Sequence, residues 1–327
     1  NVYNKAFESL SSVLSRFPWQ EGDILTEDSE GLTLVYKKGQ WISTTGSNIK
    51  DLRLSQKVSY SVLVQNDHQI DIWGKAFQDP DERTITVRPG WSSIGYTPLV
   101  NLPVTTALTE YFDEATPGDV VKNQHAFAMF TADGKGGGKW QGTLKYMKPG
   151  EGYMMHRQKQ TTATFTYPYY EPGENYLETT TAYAPMRFAT TMSVVAEAVG
   201  IDVEEGDRLV AFAGGEQVGV SAAMPQATEP STEKAIPLFF LSIEGDQEAL
   251  LSFAIERDGD IIATTGEVMN YEVNGISGSP DAPTRISFVK TGELPQTGWY
   301  TVNGIKLQKA PTQSGVYIYN GNKKVIK

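Results

Sequence analysis

Two stretches of this chain follow the same order of landmarks at a nearly constant separation, and that duplication limits its folds more than any single motif does. Apolar side chains at Tyr3, Phe7, Leu10, Leu14 and Phe17 are spaced four, three, four, three, which predicts one face of an amphipathic helix over residues 1–17. Gly22-Asp23, the alternating stretch "GLTLVY" (31–36), Trp41 and "LSQKVSYSV" (54–62) follow it. Val104, Leu108 and Tyr111 then stand 94 positions beyond Leu10, Leu14 and Phe17. After them come Gly118-Asp119, "AFAMF" (126–130), Trp140 and "MKPGEGYMM" (147–155). The separation is 96 at the Gly-Asp pairs, 99 at the tryptophans and 93 between Tyr60 and Tyr153. The drift has local causes: the second copy carries the longer loop "TADGKGGG" (131–138), the first the extra "STTGSNI" (43–49). Length changes confined to Gly- and Ser-rich turns are what two copies of one fold accumulate.

Each copy reads as a short helix followed by four or five strands, with Trp41 and Tyr60, or Trp140 and Tyr153, packing structurally. The second copy is prefaced by "TITVRPGWSSIGYTPLVNLP" (84–103), two strand-like runs around Pro89-Gly90-Trp91, with Trp91 a further structural ring. The chain opens at Asn1 without methionine or a basic-then-apolar leader, which reads as a processed product or a fragment. Residues 169–190 are polar and turn-rich, a linker. Short strands then come in quick succession: 192–199, 208–214, 217–222, 236–243, 249–256, 260–265 and 284–289. Turns such as Glu205-Gly206-Asp207 separate them, the pattern of an antiparallel β-sandwich. The expected class is mainly β: α+β repeats at 1–83 and 84–168, a sandwich at 191–291, and a terminal β unit at 292–327.

Composition narrows the partners. A net charge of −11 with scattered Lys and Arg argues against a nucleic-acid backbone as ligand. Absent cysteine removes disulfides and cysteine-ligated metals. No apolar run reaches the roughly 18 residues of a membrane-spanning helix. "LPQTG" (294–298) fits a sortase pentapeptide, but an alternating, amphipathic sequence follows it, so Pro295 and Gly298 read as a turn.

No catalytic set assembles from the sequence, so no catalytic residue, metal ligand or cofactor is assigned. The three histidines, His68, His125 and His156, follow no nucleophile-elbow pattern, and "GISGS" (275–279) misses that pattern by one place. "GKGGGKW" (134–140) lacks phosphate-loop spacing and reads as a hairpin loop. Carboxylates cluster at Asp79, Asp81 and Glu82 and at Glu204, Glu205 and Asp207 and read as solvated turns. The feature with binding chemistry is "FTYPYYEPGENY" (165–176), where Tyr167, Tyr169, Tyr170 and Tyr176 could stack on sugars or pack an interdomain seam.

Three segments resemble modular surface and secreted proteins of Bacteroidetes bacteria. "PGWSSIGY…GDVVKNQHAFAMF…GKWQGTLKYMKPGEGYMM" (89–155) is similar to their Trp-containing repeat, with Ser92-Ser93 where a second tryptophan is usual. "GDRLVAFAGGEQVGVS" (206–221) is similar to a strand pair of a β-sandwich that follows such repeats. "WYTVNGIKLQKAPTQSGVYIYNGNKKVIK" (299–327) resembles the last strands of a type IX secretion sorting domain, though it is shorter. The resemblance implies an extracellular or outer-surface location and no catalytic residues. The function expected is that of a non-enzymatic extracellular or cell-surface module acting in adhesion or in glycan or protein binding. The alternatives are a carbohydrate-active enzyme using carboxylates, and a structural stalk for an upstream domain.

Overall fold

The computed structural model describes residues 14, 15, 17–27, 32–44, 46, 55, 57–66, 83–134, 137–169, 188, 190–225, 236–265, 269–291, 298–301, 305–307, 309–319 and 322–326. The chain divides into two compact units, Asn1–Ala184 and Pro185–Lys327. It is mainly β throughout its described residues.

The first unit opens with β1 (Ile24–Glu27), β2 (Leu32–Lys37), β3 (Gln40–Ser43) and β4 (Tyr60–Leu63), an antiparallel sheet in the order β3-β2-β1-β4. One face carries Leu25, Leu34 and Trp41, which pack with Leu14 and Trp19. Tyr36 and Tyr60 complete this core from its margin. Of the helix expected at 1–17, residues 1–13 and 16 lie outside the described residues, while Leu14 is buried where the periodicity puts it.

Next come β5 (Thr84–Val87), β6 (Gly90–Gly95), β7 (Leu102–Pro103), the helix α1 (Val104–Ala107), β8 (Val120–Lys122), β9 (Phe127–Ala132), β10 (Gly138–Gly142), β11 (Tyr146–Met147), β12 (Gly152–Arg157) and β13 (Ala163–Thr166). The main sheet has the order β10-β9-β8-β12-β6, and β13-β5 and β11-β7 form two-stranded pairs. Landmark for landmark, β8, β9, β10 and β12 occupy the positions of β1, β2, β3 and β4, and β6 is added beside β12. Val104, Leu108 and Tyr111 are all buried in the second core, but α1 is only one turn long. Pro103 starts it, and Thr109 bonds back to the carbonyls of Thr105 and Thr106, which favours ending a helix over extending it.

The second unit contains β14 (Thr190–Val199), β15 (Arg208–Ala213), β16 (Glu216–Ala222), β17 (Phe239–Gly245), β18 (Leu250–Arg257), β19 (Asp260–Thr265), β20 (Met269–Asn270), β21 (Ile276–Ser277) and β22 (Thr284–Lys290). All seven strands expected from the sequence are present. The arrangement differs from a purely antiparallel sandwich: β14 runs parallel to β22 and β21. One sheet, β16-β15-β18-β19-β22-β14-β17, curls until an antiparallel bridge, Met224 to Leu238, links its two end strands. Its inner face holds Val194, Leu209, Phe239, Leu241, Phe253 and Ile255. The terminal sheet, in the order β24-β23-β25-β26, is built from β23 (Trp299–Thr301), β24 (Lys306–Leu307), β25 (Gly315–Tyr319) and β26 (Asn322–Ile326). Residues 294–297 of the pentapeptide lie outside the described residues.

One device recurs at the entry to β1, β8 and β15. Gly22, Gly118 and Gly206 have φ of 94, 93 and 93°, the third position of a type II turn, which only glycine adopts without strain. The following aspartates, Asp23, Asp119 and Asp207, are each 0% exposed. Each turn closes from the aspartate N–H back to the residue three before it: Gln20, Thr116 and Glu204. The N–H of that same residue donates to the aspartate Oδ2, at 2.8, 3.0 and 2.9 Å. Oδ1 reaches across to the neighbouring strand's end, accepting from the N–H of Gln65 at 2.8 Å, the N–H of Gln158 at 2.7 Å and Nε of Arg257 at 2.7 Å.

In the second corner the carboxylate is also wired to the core. Tyr111 donates its hydroxyl to Asp119 Oδ2 and accepts from Arg157, a fully buried guanidinium. The remaining Arg157 donors go to Glu114 and to the backbone and side chain of Thr161, so all five are used. Replacing Asp119 by alanine strands the Thr116 and Gln158 amides and the Tyr111 hydroxyl, a loss of about 3 kcal/mol or more. Chemical unfolding followed by tryptophan fluorescence checks this, because only Trp299 of the six tryptophans lies in the second unit. An unchanged midpoint for Asp119→Ala would show that the corner contributes nothing.

Candidate binding surfaces

The aromatic run at the end of the second copy divides between core and surface. Tyr167 is 1% exposed and stacks edge-on against Tyr96 and Phe165, each at 5.1 Å between centroids. Burial raises its hydroxyl well above the usual tyrosine range. Tyr167 is a core residue and offers no face to a ligand, which corrects the expectation that it joins a sugar platform. Alternation along β13 accounts for this: Ala163, Phe165 and Tyr167 share the inward face. Tyr169 is 47% exposed, and the Arg83 guanidinium lies 4.9 Å from its ring centroid. Tyr170 and Tyr176 lie outside the described residues.

The other aromatic landmarks take structural places with one exception. Trp41 and Tyr153 are buried, and Tyr60 and Trp140 pack at the margins of their cores. Trp91 is opposite His156 in the β6–β12 ladder, on the sheet face away from Tyr153 and Met155, so it is not a core residue. The Lys122 ammonium sits 4.6 Å from its ring centroid and His156 meets the ring edge-on. Burial pushes the His156 imidazole below its ordinary value, opposed in part by the Asp119 charge and aided more weakly by Lys122. His125 is exposed in the turn before β9, and His68 lies outside the described residues.

The acidic clusters resolve differently. Asp79, Asp81 and Glu82 lie outside the described residues. Asp207 is no solvated turn residue: Arg257 donates to both of its oxygens, and also to Glu204 and the Asp202 carbonyl. The hydrogen bonds from Arg257 hold the Asp207 carboxyl below the usual aspartate range despite its burial. The Gly-rich loop is the expected hairpin, β9 to β10, with Asp133 accepting the N–H of Gly137. In "GISGS", the Ser277 hydroxyl pairs with Thr284 at 2.8 Å. Among the described residues no three His, Asp or Glu side chains gather as metal ligands, and no helix is long and apolar enough to cross a membrane.

One surface was not foreseen. Strand register places Ile42, Val35, Ile24 and Leu63 side by side across all four strands of the first sheet, on the face away from its core. Ile42 is 42% and Leu63 52% exposed. The register could have been read from the two alternating stretches, but only once their pairing was known. Searches against protein-family models, curated proteins and solved structures find no match to this chain.

The Asp207–Arg257 pair has a defined pH signature. A carboxyl with a depressed folded value stabilises above its unfolded value of about 3.9, and that stabilisation is lost as pH falls through the folded one. Stability of the second unit therefore falls with acid partly through Asp207. In Arg257→Gln the depression is relieved, and the stability profile between about pH 2 and 5 flattens. Calorimetry across that range checks it; parallel profiles for the two proteins would rule the linkage out.

Proposed function

We propose that this chain is a non-enzymatic, extracellular or outer-surface bacterial module whose role is adhesion through glycan binding. The single observation that carries the reading is Tyr169. Its ring is half exposed, and a buried-stem cation stacked at 4.9 Å steadies it. An aromatic face presented in this way suits the C–H face of a sugar ring, with polar groups at the rim to take its hydroxyls.

The acidic groups support a binding role over a hydrolytic one. A glycosidase needs two carboxyls facing each other across a cleft. Here Asp23, Asp119 and Asp207 spend both oxygens on amides and a guanidinium that hold strand entries in place. The recurrence of that corner in β1 and β8 also supports reading the two sheets as internal repeats. The surface location rests on the resemblance of 89–155, 206–221 and 299–327 to Bacteroidetes modules. A second reading, a protein partner, is favoured by the apolar row Ile42–Val35–Ile24–Leu63.

A glycan array with the whole chain, beside Tyr169→Ala, tests the first reading. Loss of one stacked ring is expected to weaken binding by roughly fivefold, since aromatic contacts of this kind contribute on the order of 1 kcal/mol. No glycan signal for the unaltered chain, or an undiminished one for Tyr169→Ala, would overturn it. Release of reducing sugar from any bound glycan would contradict the non-enzymatic role.

A further inference from the structure

The two sheets of the first unit touch through a compact polar contact that their strand ladders do not require. Ser59 lies just ahead of β4 in the first sheet, and Ser93 lies within β6 of the second. The Ser59 N–H donates to Ser93 Oγ at 2.6 Å. The two hydroxyls are 2.7 Å apart, and Ser59 Oγ reaches the Tyr153 carbonyl at 3.2 Å. Ser93 Oγ is also 3.1 Å from the Ser59 carbonyl. One proton arrangement satisfies the ring: Ser59 N–H to Ser93, Ser93 O–H to Ser59, and Ser59 O–H to Tyr153.

Both serines are buried, so the two hydroxyls and the Ser59 amide depend on one another for partners, and removing one leaves the others unsatisfied where they stand. The steric fit is as specific as the polar one. A Cβ on Gly152 would stand 2.4 Å from Ser59 Cβ, so the strand facing Ser59 needs glycine there. Adjacent serines in β6 point to opposite faces: Ser92 accepts from the Arg88 amide in the turn that leads into β6, while Ser93 faces the first sheet.

We propose that Ser59, Ser93 and Gly152 form a clasp that locks the first β module onto the second, so that the described part of residues 17–168 moves as one stiff segment. The clasp gives the Ser92-Ser93 dipeptide a role: a tryptophan ring at position 93 would occupy the space of Ser59. This goes beyond the adhesion reading and does not depend on any ligand. A stiff pair presents Tyr169 and the first sheet at a fixed separation, whereas two hinged modules would sample many.

The chain has no cysteine, so spin labels attach only where cysteines are introduced. With Gln40→Cys and Thr162→Cys, both exposed and in different modules, double electron–electron resonance on the full chain should give one narrow distance distribution. Adding Ser93→Trp or Gly152→Val should broaden it, roughly doubling its width, because the clasp alone is opened. Ser59→Ala, which removes a hydroxyl and no packing, should broaden it in the same direction but less. A control pair within the second module, Thr105→Cys with Thr162→Cys, should stay narrow in every variant, showing that its core is intact. A broad distribution in the otherwise unaltered chain would overturn the proposal. So would an unchanged one in Ser93→Trp, Gly152→Val and Ser59→Ala.

Discussion

A buried aspartate directly after a left-handed glycine organises the first three of the four sheets of four or more strands among the described residues. A carboxylate removed from water is tolerated only when its oxygens are fully hydrogen-bonded. Each aspartate satisfies that demand by capturing one amide in its own turn and one donor at the end of a neighbouring strand. The turn fixes where the strand begins, and the cross-strand bond fixes which strand lies beside it. Register follows from both, and a one-residue slip would place Asp23, Asp119 or Asp207 where no donors await.

The third corner shows how far the device can vary. At Gly206-Asp207 the cross-strand donor is a side chain, Arg257, in place of the backbone amides supplied by Gln65 and Gln158. A backbone donor ties the corner to strand position alone. A guanidinium ties it also to Glu204 and to the Asp202 carbonyl, and makes it sensitive to acid. The second corner is reinforced from the other side, where Tyr111 relays Asp119 to the buried Arg157. In all three the charged groups are committed to architecture.

Much of this was legible in the sequence. The Gly-Asp pairs share φ near 94° and a buried carboxylate, whereas the aromatic landmarks differ in depth: Trp41 and Tyr153 are buried, and Trp140 and Tyr60 sit at the margins of their cores. Strand existence in the second unit was readable from alternation between turns, but the parallel β14–β22 pairing was not, since pairing partners are set by tertiary packing. Gly206-Asp207 carries the same dipeptide as the other corners and read as a plain turn, because its surrounding helix signal is absent. The tyrosine run misled for a related reason. Pro168 suggests a connector, yet the in-out alternation of β13 carries past its end to bury Tyr167, while Tyr169 is exposed. Ser59 and Ser93 carry no local signal at all; their pairing spans 34 positions.

Amide hydrogen exchange tests the central claim most directly. Turn amides ordinarily exchange fast, whereas amides held by a buried acceptor exchange only when the structure around them opens. If the aspartate corners organise the sheets, the N–H groups of Gln20, Thr116 and Glu204 will exchange as slowly as the central strands β1, β8 and β15 that they precede. Exchange at those three amides at the rate of exposed turns, while the strands stay protected, would contradict the account.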